Sequence, residues 1–292
     1  MSPGVWGGRA PAPGSLATLR GQAMSDTPWL AALTTLFLWW FSTGIILWRV
    51  RVADNGVAQD HINSVIIALP LLVIGGLAAQ ASLSDLSAGG IYLAFLAALA
   101  LWGWIELAFL SGVITGPNSA PCPPFANQSD RFWRAVGTIA WHEALLISTL
   151  LALGLASLSA ENPFAFGTFA LLFIARISAK LNLFLGVPRI NTHFLPKPLS
   201  HLASHFRIGR ITAFFPISVS ALTMFSALLL ERAVNVTHPG MSVGYALLTC
   251  LCLLALLEHW FMVLPLPDEK LWRWMMPAAK SPKDKLEDPN GL

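Results

Sequence analysis

Seven long apolar runs, separated by short polar stretches, dominate the chain. Each run has about 20 residues, the length that an α-helix needs to cross the hydrocarbon core of a bilayer. The pattern therefore predicts an all-α fold, a polytopic integral membrane helical bundle with seven transmembrane helices. We place these spans at 29–48, 64–83, 90–112, 134–159, 164–184, 213–234 and 243–264.

Composition supports the membrane interpretation. The chain has 292 residues, of which 55% are hydrophobic and 11% charged, whereas soluble domains are about 25% charged. A net charge of +3 is too small to indicate nucleic-acid binding, so we expect the lipid bilayer to be the main partner. Tryptophans near the ends of the runs, such as Trp39, Trp48 and Trp260, are typical of membrane interfaces.

The basic residues predict the orientation. Of the 18 lysines and arginines, 15 fall on the side that holds the C-terminus; the exceptions are Arg9, Arg20 and Arg232. Because basic loops stay in the cytoplasm, we expect the N-terminus outside and the C-terminus inside. We divide the chain into an N-terminal extension or mis-assigned start (1–23), a membrane domain (24–275) and a disordered charged cytoplasmic tail (276–292).

A few ionisable residues inside four spans recur at one depth. At 1.5 Å per residue they lie roughly 6 to 14 Å from the predicted cytoplasmic boundary. Such groups are costly in hydrocarbon unless paired, so they mark a candidate functional site; a purely structural ion-pair network is the alternative. The set consists of Glu106, His142, Glu143, Arg176, Lys180, Glu258 and His259.

The carboxylates and imidazoles of this set are also possible metal ligands and catalytic groups. Glu106, His142, Glu143, Glu258 and His259 could hold iron or manganese, as facing helices do in bundle proteins. The Glu-x-x-His spacing of such sites is missing, however, since each histidine is adjacent to its glutamate. Adjacent residues point about 100° apart on a helix, so both members of a pair need not enter one site.

The loop after the fifth span carries three further histidines. His201 and His205 would share a helix face, but prolines precede them and we expect His193, His201 and His205 to lie at the surface or interface. The three cysteines show no metal-binding spacing. The nucleotide-binding, hydrolase and zinc-protease motifs are missing too, and no pair of broken helices indicates a transporter.

Three sequence blocks carry a resemblance to a known family. They cover 104–117, 180–188 and 259–274, and with His142 and Glu143 they resemble the photosynthetic complex assembly protein 2 family of phototrophic bacteria. The resemblance extends from about residue 24 to residue 275. It implies a multi-pass protein of the bacterial cytoplasmic membrane, or of the intracytoplasmic photosynthetic membrane, that is associated with reaction-centre genes.

The resemblance also implies a process. Such a protein would act in assembling the reaction-centre and light-harvesting complexes or in handling their bacteriochlorophyll, with complex subunits or pigment-pathway proteins as partners. Arg176, Lys180 and Asn182 would then bind the carboxylate of a chlorin intermediate or a subunit helix. We favour this non-enzymatic role, and leave open a metal-dependent oxidoreductase of tetrapyrrole biosynthesis and a scaffold without a site.

Overall fold

The computed structural model describes residues 27–192 and 195–265, and within them the chain is a helical bundle. Its helices are α1 (Pro28–Asp54), α2 (Ala58–Ile67), α3 (Leu69–Ser82), α4 (Ala88–Leu110), α5 (Gln128–Ser157), α6 (Phe164–Leu185), α7 (Phe214–Asn235) and α8 (Pro239–Phe261), with a 3-10 helix at Lys197–His205. The described part contains no strand, only an isolated bridge between Val187 and Ile208. The predicted all-α membrane fold is therefore confirmed.

Local sequence explains where these helices begin. Ser87 and Asn127 cap α4 and α5, because their side-chain oxygens accept hydrogen bonds from free backbone amides of the first turn. Pro28 and Pro239 stand at the first positions of α1 and α8, where a missing N–H costs nothing.

Residues 27–192 and 195–265 contain seven helical segments long and apolar enough to span a membrane, with α2 and α3 together forming the second. This second segment is not one helix: it breaks at Ala68, two residues before Pro70, because the proline has no N–H to donate to the carbonyl four residues earlier and its ring crowds that carbonyl. It also begins at Ala58 rather than at 64. The first segment continues to Asp54, beyond the predicted end at 48, and α5 begins at Gln128 instead of 134.

Helices α4 and α8 form the centre of the bundle. Within their apolar stretches 61% and 56% of the residues are buried, against 17–28% in the other five segments. Around this pair, α1 and α7 pack on α8, while α3 and α6 pack on α4. The outer helices consequently present apolar side chains such as Leu77 and Leu155 outward, as a lipid-facing surface requires.

The C-terminal ends of α1, α4, α6 and α8 meet the 186–212 segment at one end of the bundle, which we call the loop end. Asp54 holds this segment: its carboxylate accepts the backbone N–H of Lys197 at 3.0 Å and lies 3.3 Å from His61 Nε2, and the Lys197 ammonium contacts Asp54 O. The chain leaves α4 through Gly112, whose φ of +72° favours glycine. A Cβ at this position would lie 2.5 Å from Pro198 Cβ, so a larger residue would clash there.

Residues 1–26, 193–194 and 266–292 lie outside the described part of the chain. The predicted N-terminal extension (1–23), the charged tail (276–292), His193 and most of the third sequence block therefore stay predictions. The same holds for the orientation of the bundle in the membrane.

Candidate functional site

Two ion pairs join α4, α5 and α6 near the loop end. Arg176 Nη2 on α6 lies 2.9 Å from Glu106 Oε2 on α4. One turn further along α6, Lys180 contacts Glu143 of α5. The Glu106 carboxylate is buried, and each charge meets its opposite within a bundle that crosses hydrocarbon. The structure thus pairs four of the five ionisable residues that the sequence placed on spans three, four and five, and His142 is the fifth.

His142 belongs to the Glu106 side of this cluster. Its fully buried ring lies against Phe109, with ring centroids 4.3 Å apart, and its Nε2 is 3.9 Å from Glu106 Oε1. Neither ring nitrogen has a hydrogen-bond partner among the described residues. The backbone N–H of His142 donates to Thr115 O at 3.0 Å, which ties α5 to the turn after α4.

Glu258 and His259 point in different directions from α8. The Glu258 carboxylate accepts a hydrogen bond of 2.8 Å from Trp39 Nε1 on α1, and within the described residues it has no cationic partner. His259 is buried on the other side, where its Nδ1 lies 2.8 Å from Ala255 O and its Nε2 2.9 Å from Ser178 Oγ. Glu258 therefore belongs with the polar cluster, whereas His259 fastens α8 to α6.

Asn182 lies apart from the charges that it was predicted to join. Its amide nitrogen donates to Ser178 O at 3.0 Å and to Ser218 Oγ at 3.1 Å, and the side chain is fully buried. These contacts connect α6 to α7. The side chain thus faces another part of the bundle from Arg176 and Lys180.

A cavity of about 840 Å³ opens among α1, α4, α5, α6 and α8 and beneath the 186–212 segment. Its volume falls in the range of small-molecule and cofactor sites, about 300–1,000 Å³. Five of the polar side chains that line it come from α1, α4, α6 and α8 and take part in the contacts described above or lie beside them, and we call them the collar: Trp39, Glu106, Arg176, Lys180 and Glu258. His142, Glu143, Asn182 and His259 are not part of its wall.

Sequence reasoning missed two parts of this site. Trp39 was interpreted as an interfacial anchor, although its indole N–H turns inward to Glu258. The segment that closes the loop end over the cavity, including Arg189, Thr192 and His205, was expected to be surface loop. The lysines and arginines of that segment predicted only its side of the membrane. Its contact with α1, between Lys197 and Asp54, cannot be predicted from residue spacing.

His205 is the loop histidine that becomes buried. Its Nε2 lies 3.3 Å from Ala120 O, and its own carbonyl accepts a hydrogen bond from Arg131. Burial lowers the pKa of His205, and it does the same to the pKa of His201. Both rings therefore favour the neutral form, and the prediction that these histidines lie at the surface is wrong for His205.

The described residues contain no group of three or more His, Cys, Asp or Glu side chains arranged to hold a metal ion. The five predicted ligands are divided among different surroundings: Glu106 and His142 form one pair, Glu143 contacts Lys180, Glu258 contacts Trp39, and His259 faces α6. The separate placement of these side chains does not fit a shared iron or manganese centre.

Comparison with known proteins places the chain in a family. A family model described as "Protein of unknown function (DUF3623)" matches residues 24–283. The chain belongs to this family. It is also 55% identical over 264 residues to a protein of Rhodobacter capsulatus described as "Uncharacterized 30.4 kDa protein in puhA 5'region", an alignment that covers 90% of this chain and 96% of the relative. No solved structure matches the chain.

The DUF3623 match covers the whole site. All collar residues, the 186–212 segment and the three sequence blocks that carried the resemblance lie within the matched residues. The relative's description locates its gene beside puhA, in a region of photosynthesis genes. Membership in a membrane protein family associated with photosynthesis genes is thereby supported, while the assembly role belongs to the proposal that follows.

Proposed function

We propose that this protein is a membrane factor for building the photosynthetic apparatus, and that it handles the bacteriochlorophyll of the reaction-centre and light-harvesting complexes. The observation that carries the proposal is the cavity of about 840 Å³ with its polar collar. A tetrapyrrole combines a broad apolar ring with a few polar substituents. The cavity offers the matching surface, mostly apolar with a few convergent polar groups, as ligand sites do.

The collar suits such a ligand because it mixes donors and acceptors. Arg176 and Lys180 can donate to a carboxylate or a ring carbonyl, since charge-assisted hydrogen bonds are strong where water is scarce. Glu258 has no cationic partner within the described residues and can accept from a ligand group. The position of the relative's gene beside puhA supports the process, and the cavity supports pigment as the cargo.

The described residues favour this role over the two alternatives. A metal-dependent oxidoreductase would need ligands that converge, and the predicted ones are divided. A scaffold without a site would be expected to fill the space among its central helices, because helix association in membranes depends on close packing. No observation on the described chain supports either alternative as a second candidate.

Complementation tests the proposal. In a Rhodobacter capsulatus strain lacking the relative's gene, we expect lower absorbance from assembled reaction-centre and light-harvesting complexes, restored by this chain. Gly103→Phe should fail to restore it, since Gly103 lines the cavity and a Cβ there meets only Ile46 Cδ1, at 3.8 Å. Gly76→Phe is the matched control, because Gly76 has no neighbour within 4 Å and faces outward.

Each other outcome counts against the proposal. Restoration by Gly103→Phe would favour the scaffold, because a blocked cavity would then be without effect. Accumulation of one pigment intermediate only when oxygen is present would favour the oxidoreductase. Pigments are extracted from the deletion strain and from the same strain carrying the unchanged chain, Gly103→Phe or Gly76→Phe, each grown with and without oxygen. The pigment contents distinguish these results, and the amount of each variant in the membrane is measured by immunoblot.

A further inference from the structure

The cavity changes character along its length. The collar divides it into a mouth beneath the 186–212 segment and a deeper part that runs toward the opposite end of the bundle. Side chains from the four helices α1, α4, α6 and α8 line this deeper part, which we call the shaft. The shaft is lined mainly by Phe95, Leu99, Leu171, Leu172, Leu251 and Leu254.

The shaft is long and apolar. Phe95 precedes Glu106 by eleven positions on α4, and Leu251 precedes Glu258 by seven positions on α8. At 1.5 Å per residue the wall extends about 10 to 17 Å beyond the collar. None of the residues that line the shaft is ionisable, so all the charge of the cavity wall beyond the mouth is gathered at one level.

Both cations of the collar are already paired with carboxylates. Arg176 is paired with Glu106 and Lys180 with Glu143, while Glu258 accepts a hydrogen bond from Trp39, so a neutral polar group meets donors and acceptors without adding charge to a low-dielectric site. A chain entering the shaft, by contrast, meets apolar side chains and the hydroxyl of Thr35, which already donates to Ala31 O. The collar therefore suits the polar part of a ligand, and the shaft suits its apolar part.

We infer that the ligand of this cavity is a long-tailed amphiphile, held with its polar head at the collar and its apolar chain in the shaft. The inference rests on the proposed function in taking the head to be a chlorin ring. It goes further in assigning a long apolar chain to the ligand. The protein would thus bind the pigment after esterification with a long alcohol, in preference to the same ring without a chain.

Three probes separate the ring from the tail. Pheophytin a is a metal-free chlorin esterified with a long isoprenoid alcohol, pheophorbide a methyl ester carries the same ring without the chain, and phytol is the chain alone. Purified protein is equilibrated with each probe in detergent, separated from free probe by gel filtration and extracted. Chromatography then gives the amount of probe bound per protein.

Detergent micelles take up every probe that has a long chain. Comparing two variants in the same detergent corrects for this uptake, because it is the same for both. Leu172→Trp narrows the shaft one turn from Arg176, whereas Leu155→Trp adds the same bulk on α5, where Leu155 is exposed and remote from the cavity. We expect pheophytin a to bind Leu172→Trp at least about tenfold more weakly than wild type, since overpacking a filled site is costly. Leu155→Trp should bind it like wild type.

The remaining outcomes are distinct. If both chlorins bind equally and Leu172→Trp binds them like wild type, the tail inference is wrong and pigment handling stands. If phytol binds as tightly as pheophytin a, with the same loss in Leu172→Trp, the shaft takes a chain but the chlorin function is contradicted. If none of the three probes binds, both fail. Should Leu172→Trp fail to fold, Gly103→Phe replaces it, with Gly76→Phe as its control.

Discussion

Each of the two ion pairs at the collar joins residues of two different helices, so each pair also fixes the distance between those helices. Glu106 and Arg176 connect α4 to α6, and Lys180 and Glu143 connect α6 to α5. Removing one partner leaves the other charge where water is scarce, which costs more than the pair itself contributes. A single variant should therefore lose more stability than the double variant that removes both charges.

For the Glu106–Arg176 pair we expect Arg176→Gln to lower the stability of the protein by about 1–3 kcal/mol, less than for a fully buried pair because the Arg176 side chain is 38% exposed. The double variant Glu106→Gln/Arg176→Gln should recover much of this loss, because no unpaired charge remains. Thermal unfolding in detergent, followed by circular dichroism, measures the double-mutant cycle.

Arg134→Gln is the control for this cycle. Arg134 and Asp130 form an exposed pair four residues apart on α5, and such pairs contribute only about 0.3–0.5 kcal/mol. If the effects of Glu106→Gln and Arg176→Gln simply add up, the two residues are not coupled and the pair does not hold α4 to α6.

At the scale of elements, α3 depends on a close approach to α4. A Cβ built on Gly75 would lie 3.1 Å from Leu101 Cγ and 3.2 Å from Ala97 O, whereas the neighbouring Gly76 has nothing within 4 Å. Small residues at such contacts let helix backbones pack closely in membranes. Gly75 therefore determines how α3 lies on the central helix.

We expect Gly75→Leu to destabilise the bundle by about 1–3 kcal/mol, because the larger side chain must push α3 away from α4. Gly76→Leu should leave stability nearly unchanged, since its side chain points outward. The comparison cancels the higher helix propensity of leucine, which both variants gain. Equal melting temperatures for the two variants in the same detergent would contradict this packing.

The 3-10 helix at Lys197–His205 should loosen in acid. Burial lowers the pKa of His205 from an ordinary value of 6.5, so the open segment binds more protons than the docked one. Its docking is then fully stable above about pH 6.5 and weakens as the pH falls toward the lowered pKa. Hydrogen exchange of residues 197–205 should rise between about pH 7.5 and about pH 5.5, after correction for the intrinsic exchange rate.

His205→Gln tests the cause. Glutamine can keep a hydrogen bond to Ala120 O but does not titrate, so the extra exchange in acid should shrink in this variant. The buried His61, which faces Asp54 3.3 Å away, and His201 are the nearby titratable groups, and His201→Gln serves as the comparison. An unchanged pH response in His205→Gln would assign the effect to one of those residues.

The elements were predictable from sequence because hydrocarbon imposes a simple rule on helix length and polarity. The proximity of Glu106 to Arg176 and of Glu143 to Lys180 was predictable too, from their similar distances to the ends of the spans. The divergence of adjacent residues was predictable too: His142 turns to Glu106 while Glu143 turns to Lys180, as a step of about 100° requires. The break before Pro70 shows where the rule of one helix per apolar run fails.

The partners of these groups were beyond reach of the sequence. Nothing in the spacing indicates that Trp39 meets Glu258, 219 residues away, or that Asn182 faces Ser218 and not the cations. Such contacts depend on how each helix rotates about its axis, and an evenly apolar run such as α4 or α1 has no polar face to report that rotation. The cavity is a consequence of those rotations, so it too emerged only with the fold.

For the molecule as a whole, the distribution of charge predicts which end faces the cytoplasm. Arg49 and Arg51 near the end of α1, Arg131 and Arg134 at the start of α5, and the basic residues of 186–212 all lie at the loop end; Arg232, near the end of α7, lies at the other. Basic segments close to spans are retained inside. We therefore expect the mouth of the cavity to lie on the cytoplasmic side of the membrane.

Paired reporter fusions test this orientation. Alkaline phosphatase, active only outside the cytoplasm, should be active when fused after residue 160, between α5 and α6, and inactive after residue 210. Green fluorescent protein at the same two points should give the opposite pattern and serves as the control for expression. A reversed pattern would contradict the orientation and would turn the mouth outward, away from any ligand supplied from the cytoplasm, even though the collar and shaft would be unchanged.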